Sequence, residues 1–126
     1  MSIEQAIHNR WAGDPVLIAL VPAARFVTGK VLGGAAMPYA TLARLGTRQS
    51  TRTSSRTVET IEIEFNAWTM SLETGKDIAE AITARFDRQS FTDGGVTILR
   101  MRQTDAQAIQ ADDGKWRLAL RFSVTR

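Results

Sequence analysis

Alternation of apolar and polar positions along the chain predicts five β-strands. In the two longest, residues 58–69 and 115–125, nearly every second residue is aliphatic or aromatic. Shorter runs at residues 25–28, 39–45 and 96–102 complete the set. Because Asp112-Asp113-Gly114 is typical of a tight hairpin turn, we expect the last two strands to pair antiparallel.

Apolar residues at helical spacing predict three helices. Ser2 caps a first helix that ends at Gly13, and Asp14 followed by Pro15 starts a short second one. Ser71 caps the main helix, which runs to Phe86. The expected order is α-α-β-β-(long loop)-β-α-β-β, an α+β fold with a largely antiparallel sheet and helices packed on one face.

The two strong strands and the main helix supply the predicted core. Their inward-facing positions carry large apolar side chains, which we expect to be buried together: Ile61, Ile63, Phe65, Ile82, Phe86, Leu118, Leu120 and Phe122. At 126 residues the chain has the length of one domain, so we treat residues 1–126 as a single unit.

Residues 46–56 form a basic segment within that domain. It contains Arg48, Arg52 and Arg56 but no acid and no aliphatic or aromatic residue. Such a sequence cannot bury itself, so we expect a mobile loop or an extended hairpin arm. Three roles stay open: a solvated loop, an arm that orders on a protein partner, or an arm that contacts DNA. Since no aromatic residue lies between the arginines, base stacking is unsupported.

Charge is distributed unevenly along the chain. The net charge is +3, but residues 1–56 carry a net +5 and residues 57–126 a net −2. This asymmetry points to an electrostatic partner, either nucleic acid or protein. Thirteen of the sixteen basic residues are arginine, whose guanidinium suits ion pairs across interfaces as well as phosphate contacts.

No catalytic or cofactor-binding pattern emerges from the sequence, so we expect a protein that is not an enzyme and has no cofactor or metal. The chain has no cysteine, and its one histidine, His8, is expected on the exposed face of the first helix. The pairs Gly29-Lys30 and Gly75-Lys76 lack the other residues of a phosphate-binding loop. With no cysteine and no leader pattern at its start, the chain fits the cytoplasm or a particle assembled there.

Two features of the strand 58–69 suggest an interface. Glu62 and Glu64 lie on its polar face about 7 Å apart by strand rise, as a solvated or subunit-facing row. Trp68 lies on the same face, where a large aromatic residue marks either a protein contact or packing beneath a loop. With Arg48, Arg52 and Arg56, these residues form the predicted interface set.

The ordered set of motifs resembles the phage tail-completion proteins, the tail-terminator-like group of siphophages, prophages and gene transfer agents. The resemblance covers most of the chain. Its parts are the opening Ser2–Ile7, Asp14-Pro15, Met37-Pro38-Tyr39 before a strand, the strand 61–69 running into the helix 71–86, and the closing strand 116–124.

The resemblance implies a structural virion protein whose protomers close into a hexameric ring. Such a ring caps the head-proximal end of the tail tube and joins it to the neck. The implied partners are further copies, the tail tube protein and a head-completion (stopper) protein, while double-stranded DNA passes through the lumen without sequence-specific binding. The implied location is the virion tail or neck, after assembly in the bacterial host cytoplasm. The alternative function is a small basic nucleic-acid-binding protein.

Overall fold

The computed structural model describes residues 2–29, 36–52 and 57–126, with only the backbone of residues 47–52 and 57. Two helices open the chain, α1 (Ile3–Ala12) and α2 (Pro15–Leu20), and a third, α3 (Leu72–Phe86), follows the long strands. A single 3-10 turn spans Ala23–Arg25. The strands are β1 (Phe26–Thr28), β2 (Tyr39–Arg52), β3 (Thr57–Thr69), β4 (Gln89–Asp93), β5 (Val96–Gln110) and β6 (Trp116–Thr125).

The strands form one mixed sheet in the order β1-β2-β3-β6-β5-β4. Every pairing between neighbours is antiparallel except β1 with β2, which is parallel. The chain is therefore a mixed α+β fold with a largely antiparallel sheet. Its centre is the pair β3 and β6, where Phe65 lies opposite Leu120 and Ile63 opposite Phe122.

Side-chain caps explain where the three helices begin. The Ser2 hydroxyl accepts a hydrogen bond from the Gln5 backbone N–H at 3.2 Å. The Asp14 carboxylate accepts from the Val16 N–H at 2.9 Å, just before Pro15 at the first helical position. Ser71 caps α3 by accepting from the Thr74 N–H. All three caps had been predicted from the sequence.

The eight residues predicted to form the core are all buried, and they belong to one continuous cluster. Phe65 lies among aromatic neighbours, with its ring 5.1 Å from that of Phe86 and 5.3 Å from that of Phe122. Trp11 joins the cluster from α1 and donates its indole N–H to the Val21 carbonyl at 3.0 Å. The α1 and α3 helices and the inward faces of β3 and β6 thus share one core.

The strand count and the strand ends differ from the predictions. The sequence missed β4, because residues 89–93 show no hydrophobic alternation. Strand β2 continues beyond Leu45 to Arg52 and β5 beyond Arg102 to Gln110. In both extensions the side chains are mainly small or polar, and cross-strand pairing, which is a tertiary property, determines the strand.

His8 is not the exposed helix residue that was expected. Its ring packs on Phe26 with centroids 4.3 Å apart, and its Nε2 lies 2.7 Å from the Thr28 hydroxyl. Strand β1 therefore covers part of the polar side of α1, a contact between residues twenty positions apart that helical periodicity cannot reveal.

Candidate functional site

The face of β3 that points away from the core carries the predicted Glu62, Glu64 and Trp68, and Asn66 lies between the last two. Strand β2 borders the row on one side and β6 on the other. Glu62 and Glu64 are half-buried rather than fully solvated, because neighbouring strands flank them. The structure thus brings three of the six predicted interface residues, Glu62, Glu64 and Trp68, together on one face.

Glu64 is held by its neighbours in a fixed ion pair. The Arg121 Nε lies 2.9 Å from one carboxylate oxygen, and the Asn66 amide donates to the other at 2.8 Å. Partial burial opposes ionisation of Glu64, but the hydrogen bonds from Asn66 and Arg121 outweigh it, so the pKa of Glu64 is lowered. The same hydrogen bond and the negative charge of Glu64 raise the pKa of Arg121.

Trp68 occupies the end of the row, next to the hairpin that joins β5 and β6. Its ring stacks on Tyr39 of β2, with centroids 5.2 Å apart. Both rings border a surface hollow of about 280 Å³ whose other walls include Ile109, Lys115 and Arg117. The tryptophan is half-buried, so it forms one wall of an open hollow rather than a fully exposed patch.

Residues 46–52 of the basic segment form the end of β2. Residues Thr51 and Arg52 pair with Val58 and Thr57, so the backbone of the segment continues the antiparallel ladder. The Arg48 and Arg52 side chains and the whole of Arg56 lie outside the described residues. That these arginines are mobile and that they contact a partner are therefore still predictions.

Helix α3 carries a second set of charged groups. Glu73, Asp77 and Glu80 are exposed, and within the described ranges none of them takes part in an ion pair. Asp77 and Glu80 border a groove of about 690 Å³ between α2 and α3. The rest of its lining is apolar and consists of Pro15, Val16, Ala19, Leu20 and Ala81.

Two surface features were missed by sequence reasoning. One is the apolar groove, where Val16 is 60% exposed. The other is the exposed half of β5, from Thr104 to Gln110, whose mixed small and polar residues gave no strand signal. It lies at an edge of the sheet because β4 pairs with β5 only over residues 96–101, a property of strand pairing that no local pattern contains.

Neither a metal centre nor a membrane-spanning helix occurs in the part of the chain that the structure describes. No three His, Asp or Glu side chains there lie close enough together to hold a metal ion. No described helix has both the length and the apolar character that crossing a membrane requires. What the described surface offers is charged pairs, an aromatic hollow, an apolar groove and a strand edge, which are features of protein interfaces.

Comparison with known proteins defines the class to which this fold belongs. The chain superimposes on a chain from a solved structure described as "Virion of native gene transfer agent (GTA) particle" with a TM-score of 0.82. The two are 15% identical, and the match covers 98% of this chain and 93% of the other. The chain therefore has the fold of a virion component. No curated protein sequence matches it.

The family follows from a match of the sequence itself. The profile of the family "Tail completion protein gp17" matches residues 5–125, which is nearly the whole chain. The chain belongs to this family of phage tail-completion proteins, and it is a structural protein of the virion tail. The resemblance inferred from the sequence motifs is confirmed.

Proposed function

We propose that this chain is a tail terminator whose protomers form a hexameric ring at the head-proximal end of the tail tube and join the tube to the neck. The match to the tail-completion family over residues 5–125 carries the proposal. The ring's partners are further copies, the tail tube protein and a head-completion (stopper) protein. Double-stranded DNA passes through its lumen without sequence-specific recognition, and assembly takes place in the bacterial host cytoplasm.

The charge distribution supports contacts between copies or with neck proteins. We assign the arginine side chains of the basic arm, residues 46–56, to an acidic surface of a neighbouring protein, on which they become ordered. In the described chain Glu64 is held by Arg121, and Glu59 lies 3.6 Å from Arg126. The acids on α3 have no such ion pair, so Glu73, Asp77 and Glu80 of a neighbouring copy are the recipients that fit best for Arg48, Arg52 and Arg56.

The polar face of β3 contributes a second contact surface in this proposal. Glu62, Glu64 and Trp68 lie on one strand, and Arg121 of the neighbouring β6 fixes the position of the Glu64 carboxylate. A surface with preset geometry loses little side-chain entropy on binding. We assign this face to the ring interface or to the tube, and we assign the protein no catalytic activity and no cofactor, in keeping with a family whose role is structural.

The alternative, a small basic nucleic-acid-binding protein, has the net charge of the first half in its favour. Several arginines are already engaged within the chain, however. Arg44 pairs with Glu4 at 2.8 Å, Arg121 with Glu64, and the Arg10 guanidinium lies 4.4 Å above the ring of Phe91. Affinity for DNA that falls steeply with salt would favour the alternative, because phosphate binding releases counterions.

The decisive experiment is a map of the intact particle combined with the mass of the isolated tail-end assembly. We expect six copies of this chain between the last ring of the tube and the neck. A single copy, a twofold dimer, or density at the distal tip of the tail contradicts the proposal. Tails from cells that lack the chain should remain unjoined to heads, and supplying the chain should restore joining.

A further inference from the structure

The second half of β5 forms a free edge of the sheet. Strand β4 pairs with β5 only over residues 96–101, and among the described strands none lies beyond β4. Every side chain from Thr104 to Gln110 is exposed. A row of unpaired backbone N–H and C=O groups on such an edge is a template for pairing with another chain.

Hydrogen bonds at the two ends of this edge show which backbone groups point outward. At the hairpin end, the Ala111 N–H donates to the Lys115 carbonyl at 2.8 Å, so residue 111 faces β6. At the other end, the Gln103 N–H donates to the Asp87 carboxylate at 2.8 Å, away from β6. Along an antiparallel strand, the backbone N–H and C=O groups of successive residues point alternately toward and away from the neighbouring strand. The register shift between Gln103 and Asp105 moves this alternation by one residue, so the assignments made from the two ends agree. The N–H and C=O groups of Ala106, Ala108 and Gln110 point away from the sheet.

Apart from the register shift at its start and the charge of Asp105, this edge lacks the features by which proteins protect exposed strands. Residues 104–110 contain no proline, lysine or arginine, and Asp105 is their only charged residue. On the helix side of the sheet, Ala106 and Ala108 border a shallow hollow of about 190 Å³ together with Ala79, Leu118 and Leu120. A strand added here would gain backbone hydrogen bonds and could place an apolar side chain in that hollow.

The opposite border of the same sheet offers a matching strand. Strand β1 pairs with β2 only at residues 40–42, where the Gly29 N–H donates to the Leu42 carbonyl at 2.9 Å. From residue 43 to Arg52, no described strand pairs with the outer side of β2. Three successive antiparallel pairings separate β2 from β5, so the two strands run in opposite directions. Copies in the same orientation would therefore bring these edges together antiparallel.

We propose that residues 104–110 of β5 are a docking edge for a second copy of this chain, whose β2 pairs there and continues the sheet from copy to copy. Charge favours this partner, because β2 contains basic residues and no acid, while residues 104–110 contain Asp105 and no basic residue. Register shifts in β2 and β5 supply local curvature. The inference rests on the proposed ring. A repeated head-to-tail contact closes a ring when the rotation between copies allows it, whereas β5 pairing with β5 would stop at a dimer.

The absence of cysteine makes a crosslinking test specific. A double variant, Ala108→Cys with Ser50→Cys, is assembled into tails and treated with a short thiol-to-thiol crosslinker. A second pair, Ala106→Cys with Thr47→Cys, covers a shifted register. We expect a ladder of covalent multimers from at least one double variant and monomers from each single variant. Dimers from Ala108→Cys alone would indicate β5–β5 pairing and overturn the inference.

The same experiment separates this inference from the proposed function. Tails that carry a hexamer of normal mass but yield no ladder from either pair overturn the edge contact and leave the ring standing. Tails whose junction holds no multimer of this chain overturn both. The result expected for both proposals is a ladder that ends at six chains.

Proline substitution gives an independent readout. Ala108→Pro removes a backbone N–H that points away from β6. The matched control Ala108→Ser keeps this backbone N–H and has a side chain of similar size. We expect about a tenfold loss of ring formation for the proline variant, the effect of losing roughly one interfacial hydrogen bond, and little loss for serine. Ala106→Pro serves as the second variant, and thermal melting verifies that each protomer folds. Equal assembly of folded proline and serine variants would overturn the inference.

Discussion

Arg44 holds Glu4 with two parallel hydrogen bonds, Nε to Oε1 at 2.8 Å and Nη2 to Oε2 at 3.0 Å, and so ties strand β2 to helix α1. The paired geometry is the favourable one between guanidinium and carboxylate. Partial burial opposes ionisation of Glu4, but the hydrogen bond and charge of Arg44 outweigh it, and the pKa of Glu4 is lowered. The pair anchors β2 before it extends into the basic arm.

Removing this anchor should destabilise the protomer modestly. We expect Arg44→Met to lower the free energy of unfolding by about 0.5–1 kcal/mol at pH 7, because the pair is partly exposed. A lowered pKa means that the stabilisation by Glu4 is present above its unfolded pKa and is lost as the pH falls through the folded one. The difference between wild type and variant, measured by urea denaturation, should therefore shrink below about pH 4. A constant difference down to pH 2 would contradict the assigned role of the pair.

The core can be tested at Phe122, which is fully buried and meets Phe65 edge to face. Phe122→Ala should lower the free energy of unfolding by about 3–5 kcal/mol through lost transfer energy and the cavity left behind. The control Ser123→Ala, on the opposite face of the same strand, should change it by about 0.5 kcal/mol or less. A loss under about 1 kcal/mol for Phe122→Ala would mean that the buried face of β6 is assigned wrongly.

The single histidine should make stability depend on pH in the mildly acidic range. Burial against Phe26 lowers the pKa of His8, and the charge of Glu4 opposes this only partly. The unfolded chain therefore binds the proton first, so the free energy of unfolding should fall as the pH drops through about 6.5. In His8→Gln this slope between pH 7 and 5 should flatten. The carboxyl groups of Glu4 and Glu64 have lowered pKa values and stay ionised there, so parallel curves would show that His8 is not responsible.

The basic arm can be tested by replacing Arg48, Arg52 and Arg56 with serine. We expect a folded protomer, verified by circular dichroism and thermal melting, and tails that fail to join heads. The matched control replaces three exposed arginines elsewhere, Arg25, Arg88 and Arg100, so the net charge falls by the same amount. If joining is normal and only DNA retention suffers, the arm faces the lumen and its protein partner is assigned wrongly.

The sequence by itself determined the caps at Ser2, Asp14 and Ser71, the alternation in β3 and β6, and the faces of these strands on which core residues such as Phe65 and Phe122 lie. These features depend on residues a few positions apart, and local geometry converts their spacing directly into a face or a helix start. The ordered set of motifs was also sufficient to indicate the tail-completion family. The interface residues on β3 could be named as a row because alternation alone puts them on one face.

Only the tertiary structure decided which strands become borders of the sheet. The β5 edge from Thr104 to Gln110, the extension of β2 to Arg52 and the strand β4 all follow from pairing between distant segments, and their small or polar side chains carry no periodic signal. Likewise His8 meets Thr28, and Glu64 meets Arg121, through contacts that join residues twenty and fifty-seven positions apart. Local sequence encodes the face of each element, but the energy of packing whole elements together selects their neighbours.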